Sequence, residues 1–215
     1  MRNDSTLMER DTQVTASVTT PHATAGASET TTHLPTTVRS TVTGGANVSA
    51  LDLKQADRQR AITRQAMLRK SFCTLATSSA ANRPHVAGVI YVMVDGALYI
   101  NTLDTSVKVR NIRQNPRIAV SIPARKLPFF PPFCVQFQGT AEVCSPHDPA
   151  IVTLLDDGSL KRISSHGELD QPGSCFIRVI PARNVTTFGL GVPLRQILSD
   201  PLAMGRSVEL FPERS

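Results

Sequence analysis

The sequence has no tryptophan and only eight Phe and two Tyr in 215 residues, and none of these aromatics precedes Phe72. An opening third without an aromatic side chain excludes one globule spread evenly over the chain and places the expected core after it. Long apolar runs are missing as well. Residues 1–50 hold none longer than two residues, too short for a signal-peptide core or a membrane span, so a cytoplasmic protein is expected. Cysteines are few. Cys73, Cys134, Cys144 and Cys175 form no C-x-x-C pair and have no His at zinc spacing, so reduced thiols and no metal site are expected.

Residues 1–50 do contain 13 Thr and 5 Ser, with Arg2, Arg10 and Arg39 against Asp4, Glu9, Asp11 and Glu29. A stretch this polar cannot bury enough apolar surface to offset its chain entropy, so it reads as a disordered leader. With the chain's total at +6 and this stretch at −1, residues 51–215 carry +7. A nucleic-acid binder would spread such charge along a face, with aromatics interleaved. Here the densest cluster is Lys108, Arg110, Arg113 and Arg117, the span of one short helix. A compact basic spot fits a small phosphorylated ligand, and neither a nucleic acid nor a membrane is expected as partner.

Periodicity divides the remainder. Residues 51–70 read as a helix with Leu51, Leu53, Ala56, Ala61, Ile62, Ala66, Met67 and Leu68 on its apolar face. Strands are expected over 72–77, 85–94 and 97–102, the last two joined by the tight Asp95-Gly96 turn. A short helix capped by Asp104, Thr105 or Ser106 ends before Pro116. Further strands are read over 117–122, 133–143, 175–180 and 185–189, with a Pro- and Phe-rich insertion from Pro123 to Phe133. Residues 147–163 mix helix and turn. The pattern predicts a mainly β fold with short helices, a six- to seven-stranded antiparallel barrel over residues 51–190 followed by a tail, 191–215.

The joint from Tyr99 to Asn111 is where chemistry is expected. A strand delivers Asn101 and Thr102 to its end, and a helix begins within a few residues. First-turn amides with the Thr105 and Ser106 hydroxyls make an anion site, and Lys108 and Arg110 add positive charge. An ordinary capped helix would carry the same residues, so the pattern alone leaves both readings open.

The run Lys108-Val109-Arg110-Asn111-Ile112-Arg113-Gln114-Asn115-Pro116-Arg117 resembles the pyridoxamine 5'-phosphate oxidase-like FMN-binding split β-barrels. Its form is closest to their actinobacterial flavin- and deazaflavin-dependent oxidoreductases. T-L-A-T-S, R-P-H-V-A-G-V-I-Y and Q-F-Q-G-T-A-E-V follow in the same order, and the resemblance spans about residues 65–190.

The resemblance implies Asn101 and Thr102 beside the cofactor, Ser106 and Lys108 on its phosphate, and Arg110 and Asn111 as secondary contacts. It also implies that His85, Val86, Ala87 and Gly88 run along the ring edge, with Gln136 reaching the cofactor from a long strand. The implied cofactor is FMN, with a deazaflavin coenzyme of the F-420 type as the alternative. The implied activity is hydride transfer to a small organic substrate. The implied assembly is a homodimer with the cofactor at its interface, and Phe129-Phe130-Pro131-Pro132-Phe133 offers apolar surface for the partner. No catalytic side chain is singled out among His85, His147 and His166. The pyridoxamine phosphate oxidases proper carry Arg-Lys where this chain has Val107-Lys108, and their C-terminal Arg and His set is missing after Phe188. Synthesis of pyridoxal phosphate is therefore not expected. The alternative function is a non-catalytic flavin- or haem-binding split barrel, for which His85 or Tyr91 would be the axial ligand to consider.

Overall fold

Alternating burial and tight turns generate the sheet that positions everything else. The computed structural model describes residues 49–125, 133–165, 167, 169–200 and 204–211. Its strands are β1 (Phe72–Ser78), β2 (Pro84–Ile90), β3 (Val92–Val94), β4 (Ala97–Leu103), β5 (Arg117–Arg125), β6 (Phe133–Cys144), β7 (Ser174–Pro181), β8 (Asn184–Phe188) and β9 (Gly205–Glu209). Seven of them run in the order β2-β1-β5-β6-β7-β4-β3, every neighbour antiparallel, and β8 and β9 extend the sheet from β6. The sheet curls into the antiparallel half-barrel expected from the sequence. Its inner face buries Leu75, Ile100, Val120, Val135 and Ile177 in one core. The Asp95-Gly96 turn places both residues at positive φ, 47° and 76°, as a tight hairpin between twisted strands requires.

The run read as one strand over 85–94 is two. Ile90 still pairs with Phe72 of β1, whereas Val92 pairs with Tyr99 of β4. Between them Tyr91 turns inward. Its N–H donates to Ser71 O at 2.7 Å, and its hydroxyl donates to Met67 O at 2.7 Å. The chain thereby leaves one strand pair and joins another, opening a gap between β2 and β4.

Helix α1 (Ala50–Arg69) starts on a Ser49–Asp52 capping box. Its expected apolar face holds only in part: Met67 is buried, and Ile62 and Ala66 pack on the core. Leu51 and Leu53 are 71% and 55% exposed, and the buried stripe is Gln59, Thr63 and Met67. Gln59 Nε2 donates to Leu190 O at 2.9 Å and Thr187 Oγ1 at 3.3 Å, which satisfies its buried amide and lets a polar side chain face the barrel. On the other face of β4 and β7, Tyr99 and Phe176 pack under Ile151, Leu160 and Ile163. These come from α3 (Pro149–Asp156), α4 (Lys161–Ser164) and the turn between them. That packing sets α4 beside β4. The segment read as a tail contributes α5 (Leu194–Ser199) and β9. Residues 1–48, the Phe129–Pro132 part of the insertion, and His166 lie outside the described residues. No helix among the described residues is long and apolar enough to cross a membrane.

Candidate functional site

The gap created at Tyr91 is a cleft of about 230 Å³. Gly88, Val89 and Ile90 of β2 form one wall, and Ile100, Asn101 and Thr102 of β4 form the other. Lys108, from α2 (Val107–Gln114), and Ile163 complete the lining. Among the described residues β2 pairs only with β1, and β4 beyond Tyr99 pairs only with β7. Two strand edges therefore face each other across the cleft, with backbone groups that no other strand takes up. Such edges hold a flat polar ligand as readily as another strand.

The β4–α2 joint supplies the polar end. Ser106 is the N-cap residue, in extended conformation, yet its side chain caps nothing. The first helical bond runs from Arg110 N–H to Ser106 O at 3.1 Å, which leaves the first-turn amides without carbonyls of their own helix. No acidic residue sits in that turn to offset the positive end of the helix.

Two buried atoms here have no protein partner: Ser106 Oγ and Asn101 Oδ1. Asn101 is only 7% exposed, and its amide N–H donates to Ser174 Oγ at 3.4 Å. Leaving a buried polar atom unmade costs about 1–3 kcal/mol, so two at one joint mark a place that a ligand's polar groups would complete.

The structure brings Gly88, Asn101, Thr102 and Lys108 of the expected set to one cavity, with Ser106 at the helix start beside it. It does not bring the others there. Half-buried His85 pairs with Thr77, Val86 is 61% exposed, and Ala87 packs against the main core. Arg110 points to solvent. Asn111 is buried and donates to Thr77 Oγ1 at 3.0 Å. Gln136 lies in a separate depression of about 550 Å³ on the exposed sheet face, with Thr74, Ser121 and Thr186. Sequence reading missed Ile90, Ile100 and Ile163. Nothing in their local pattern separates them from core residues, and only the path of the sheet assembles them.

Thiol chemistry is disfavoured near the cleft. Cys175 lies behind α2, and burial pushes its thiol up despite the nearby Arg113 and Lys108 cations. Burial pushes Cys73 up to about 12 and Cys144 to about 11, so both stay protonated at neutral pH. Among the described residues no cluster of His, Cys, Asp or Glu could hold a metal ion.

The family model described as pyridoxamine 5'-phosphate oxidase matches residues 61–179, more than half of the chain and every wall of the cleft. The chain belongs to this family.

Several solved structures are similar to this chain. The haem storage protein HutZ from Vibrio cholerae is 16% identical, with a TM-score of 0.53 over 60% of this chain and 93% of its own. A haem-binding protein from Mycobacterium smegmatis is 19% identical, with a TM-score of 0.53 over 70% of this chain and 57% of its own. A FAD-binding protein from Mesorhizobium loti is 21% identical, with a TM-score of 0.48 over 65% of this chain and 93% of its own. For the two haem proteins, at these identities, the shared property is the fold. No functionally curated protein matches the sequence.

Proposed function

We propose that the chain is a flavin-dependent oxidoreductase that holds FMN, or alternatively a deazaflavin coenzyme of the F-420 type, in the β2–β4–α2 cleft. The observation that carries this reading is the pair of unpartnered buried atoms, Asn101 Oδ1 and Ser106 Oγ, at a helix start with no acidic residue and with Lys108 alongside. FMN offers what that place lacks: a phosphate anion for the amides, the lysine and the Ser106 hydroxyl, and ribityl hydroxyls that donate to the asparagine oxygen. When bound, the cofactor would supply the hydride chemistry.

The chain's own part is positional. The β2 and β4 edges fix the plane of the ring, Ile100 and Ile163 exclude water from it, and Lys108 with the α2 amides hold the phosphate. No protein acid or base is required by this arrangement. The substrate is a small organic molecule.

The same reading includes a homodimer. Phe72, Val86 and Ile90, exposed by 49%, 61% and 46%, share the outer face of the β1–β2 pair. The depression beside them is lined by no charged side chain. A second copy seated there would cover both and deepen a cleft that is small for a tricyclic cofactor.

The test is a fluorescence titration of the full chain with FMN, with the deazaflavin coenzyme and with haem in parallel. Saturable micromolar or tighter binding of one of the first two is expected. Binding of haem alone would replace this function with a haem-handling one. In that protein Tyr91 would be a poor ligand, because its hydroxyl is committed to Met67 O.

A further inference from the structure

We propose that Asn111 is a positioning residue for the phosphate end of the cleft, acting through Thr77; this rests on the cofactor reading above. Asn111 does not line the cleft. Its side-chain amide donates to Thr77 Oγ1 at 3.0 Å, and the two side chains are 6% and 4% exposed.

Helix α2 has only eight residues and is seated on the core by Val109 and Ile112. Apolar contacts of that kind are non-directional and leave the roll of a two-turn helix loosely set. A buried hydrogen bond is directional, and it fixes the roll. Lys108 stands three residues before Asn111, on the same side of the helix. A roll that carries Asn111 off Thr77 therefore carries Lys108 off the cleft and turns the first-turn amides with it.

Thr77 also sits opposite His85 in the β1–β2 pair, and β2 continues to the cleft wall at Gly88. One bond thus ties the cation-bearing helix to the strand pair that forms the facing wall. It sets both the aim of Lys108 and the spacing of the walls. This pre-organisation lets one lysine and a helix start hold a phosphate where Val107, and not a second cation, precedes Lys108 and Arg110 points to solvent.

The test compares FMN with riboflavin, which differ by the phosphate, on the full chain. The proteins are wild type, Thr77→Val, Asn111→Ser, Thr77→Ser, Lys108→Ala and the Thr77→Val/Lys108→Ala double variant. Thr77→Val and Asn111→Ser should each lower the FMN-to-riboflavin affinity ratio about tenfold, as loss of an aligned charge-assisted contact predicts. The double variant should lose less than the product of the two single losses, because both changes remove the Lys108 contact. Thr77→Ser keeps the hydroxyl and should restore the ratio.

A merely structural bond would lower Tm and leave the ratio unmoved in both single variants, and that result would overturn the positioning role. Losses that multiply in the double variant would overturn it too. Equal affinity of the wild type for FMN and riboflavin would overturn the phosphate reading together with this one. A wild-type preference untouched by Thr77→Val and Asn111→Ser would overturn the positioning role alone.

Discussion

Lys108 and Asn101 reach the same cleft from different elements, one as a cation and the other as a buried carbonyl oxygen without a partner. A charge-assisted contact contributes about 1.5–3 kcal/mol. Lys108→Ala should therefore weaken FMN binding roughly tenfold to a hundredfold in Kd, checked by fluorescence titration, with Tm little changed. Val86, on the outer face, should tolerate replacement without loss of fold.

Cys73 makes a separate prediction. Burial raises its thiol from an ordinary 9.0 to about 12, so the unfolded chain releases that proton at lower pH than the folded one. Its contribution to stability is complete below about pH 9 and is lost as pH rises towards 12. Urea unfolding should show stability falling across that window, with a shallower fall in Cys73→Val.

Among the elements, β6 depends on a glycine for a reason visible in its pairing. A Cβ on Gly139 would stand 2.2 Å from Ile180 O, a backbone atom of β7 that cannot step aside. Gly139→Ala should cost about 1–3 kcal/mol in urea unfolding, through displacement of β7 from β6.

The elements also show where sequence reading succeeds and where it stops. The Asp95-Gly96 turn, the α2 limits and the spans of β1 and β6 were legible, because each is a local consequence of turn chemistry, helix capping or β-prone composition. The split at Tyr91 was not. A run of β-prone residues records that a strand forms and leaves unrecorded the point where its partner changes. On α1, Met67 was read correctly and buried Gln59 and Thr63 were missed, for a related reason. Gln59 is buried only because Thr187 and Leu190, over a hundred residues later, satisfy its amide. Asn101, Thr102 and Lys108 were found through the strand–helix joint, whereas Ile163 reaches the cleft only through the packing of α4 on β4.

On the scale of the whole molecule, two strand edges that no other described strand pairs face each other across the split, and the outer face beside it exposes Phe72, Val86 and Ile90 next to a depression with no charged side chain. The two features belong together if a second copy completes the cleft. Light scattering should give twice the 23.2 kDa chain mass. Val86→Asp, placing a charge on the shared face, should shift the chain to monomer and weaken FMN binding in step. A wild-type monomer that binds FMN at full affinity would separate the cleft from the interface.

The most direct measurement is a crystal structure of the full chain grown with FMN. The phosphate is expected at the start of α2, against Ser106 and Lys108, with the ring between Gly88–Ile90 and Ile100–Thr102. FMN found elsewhere, or crystals saturated with FMN that show none in this cleft, would contradict the assignment.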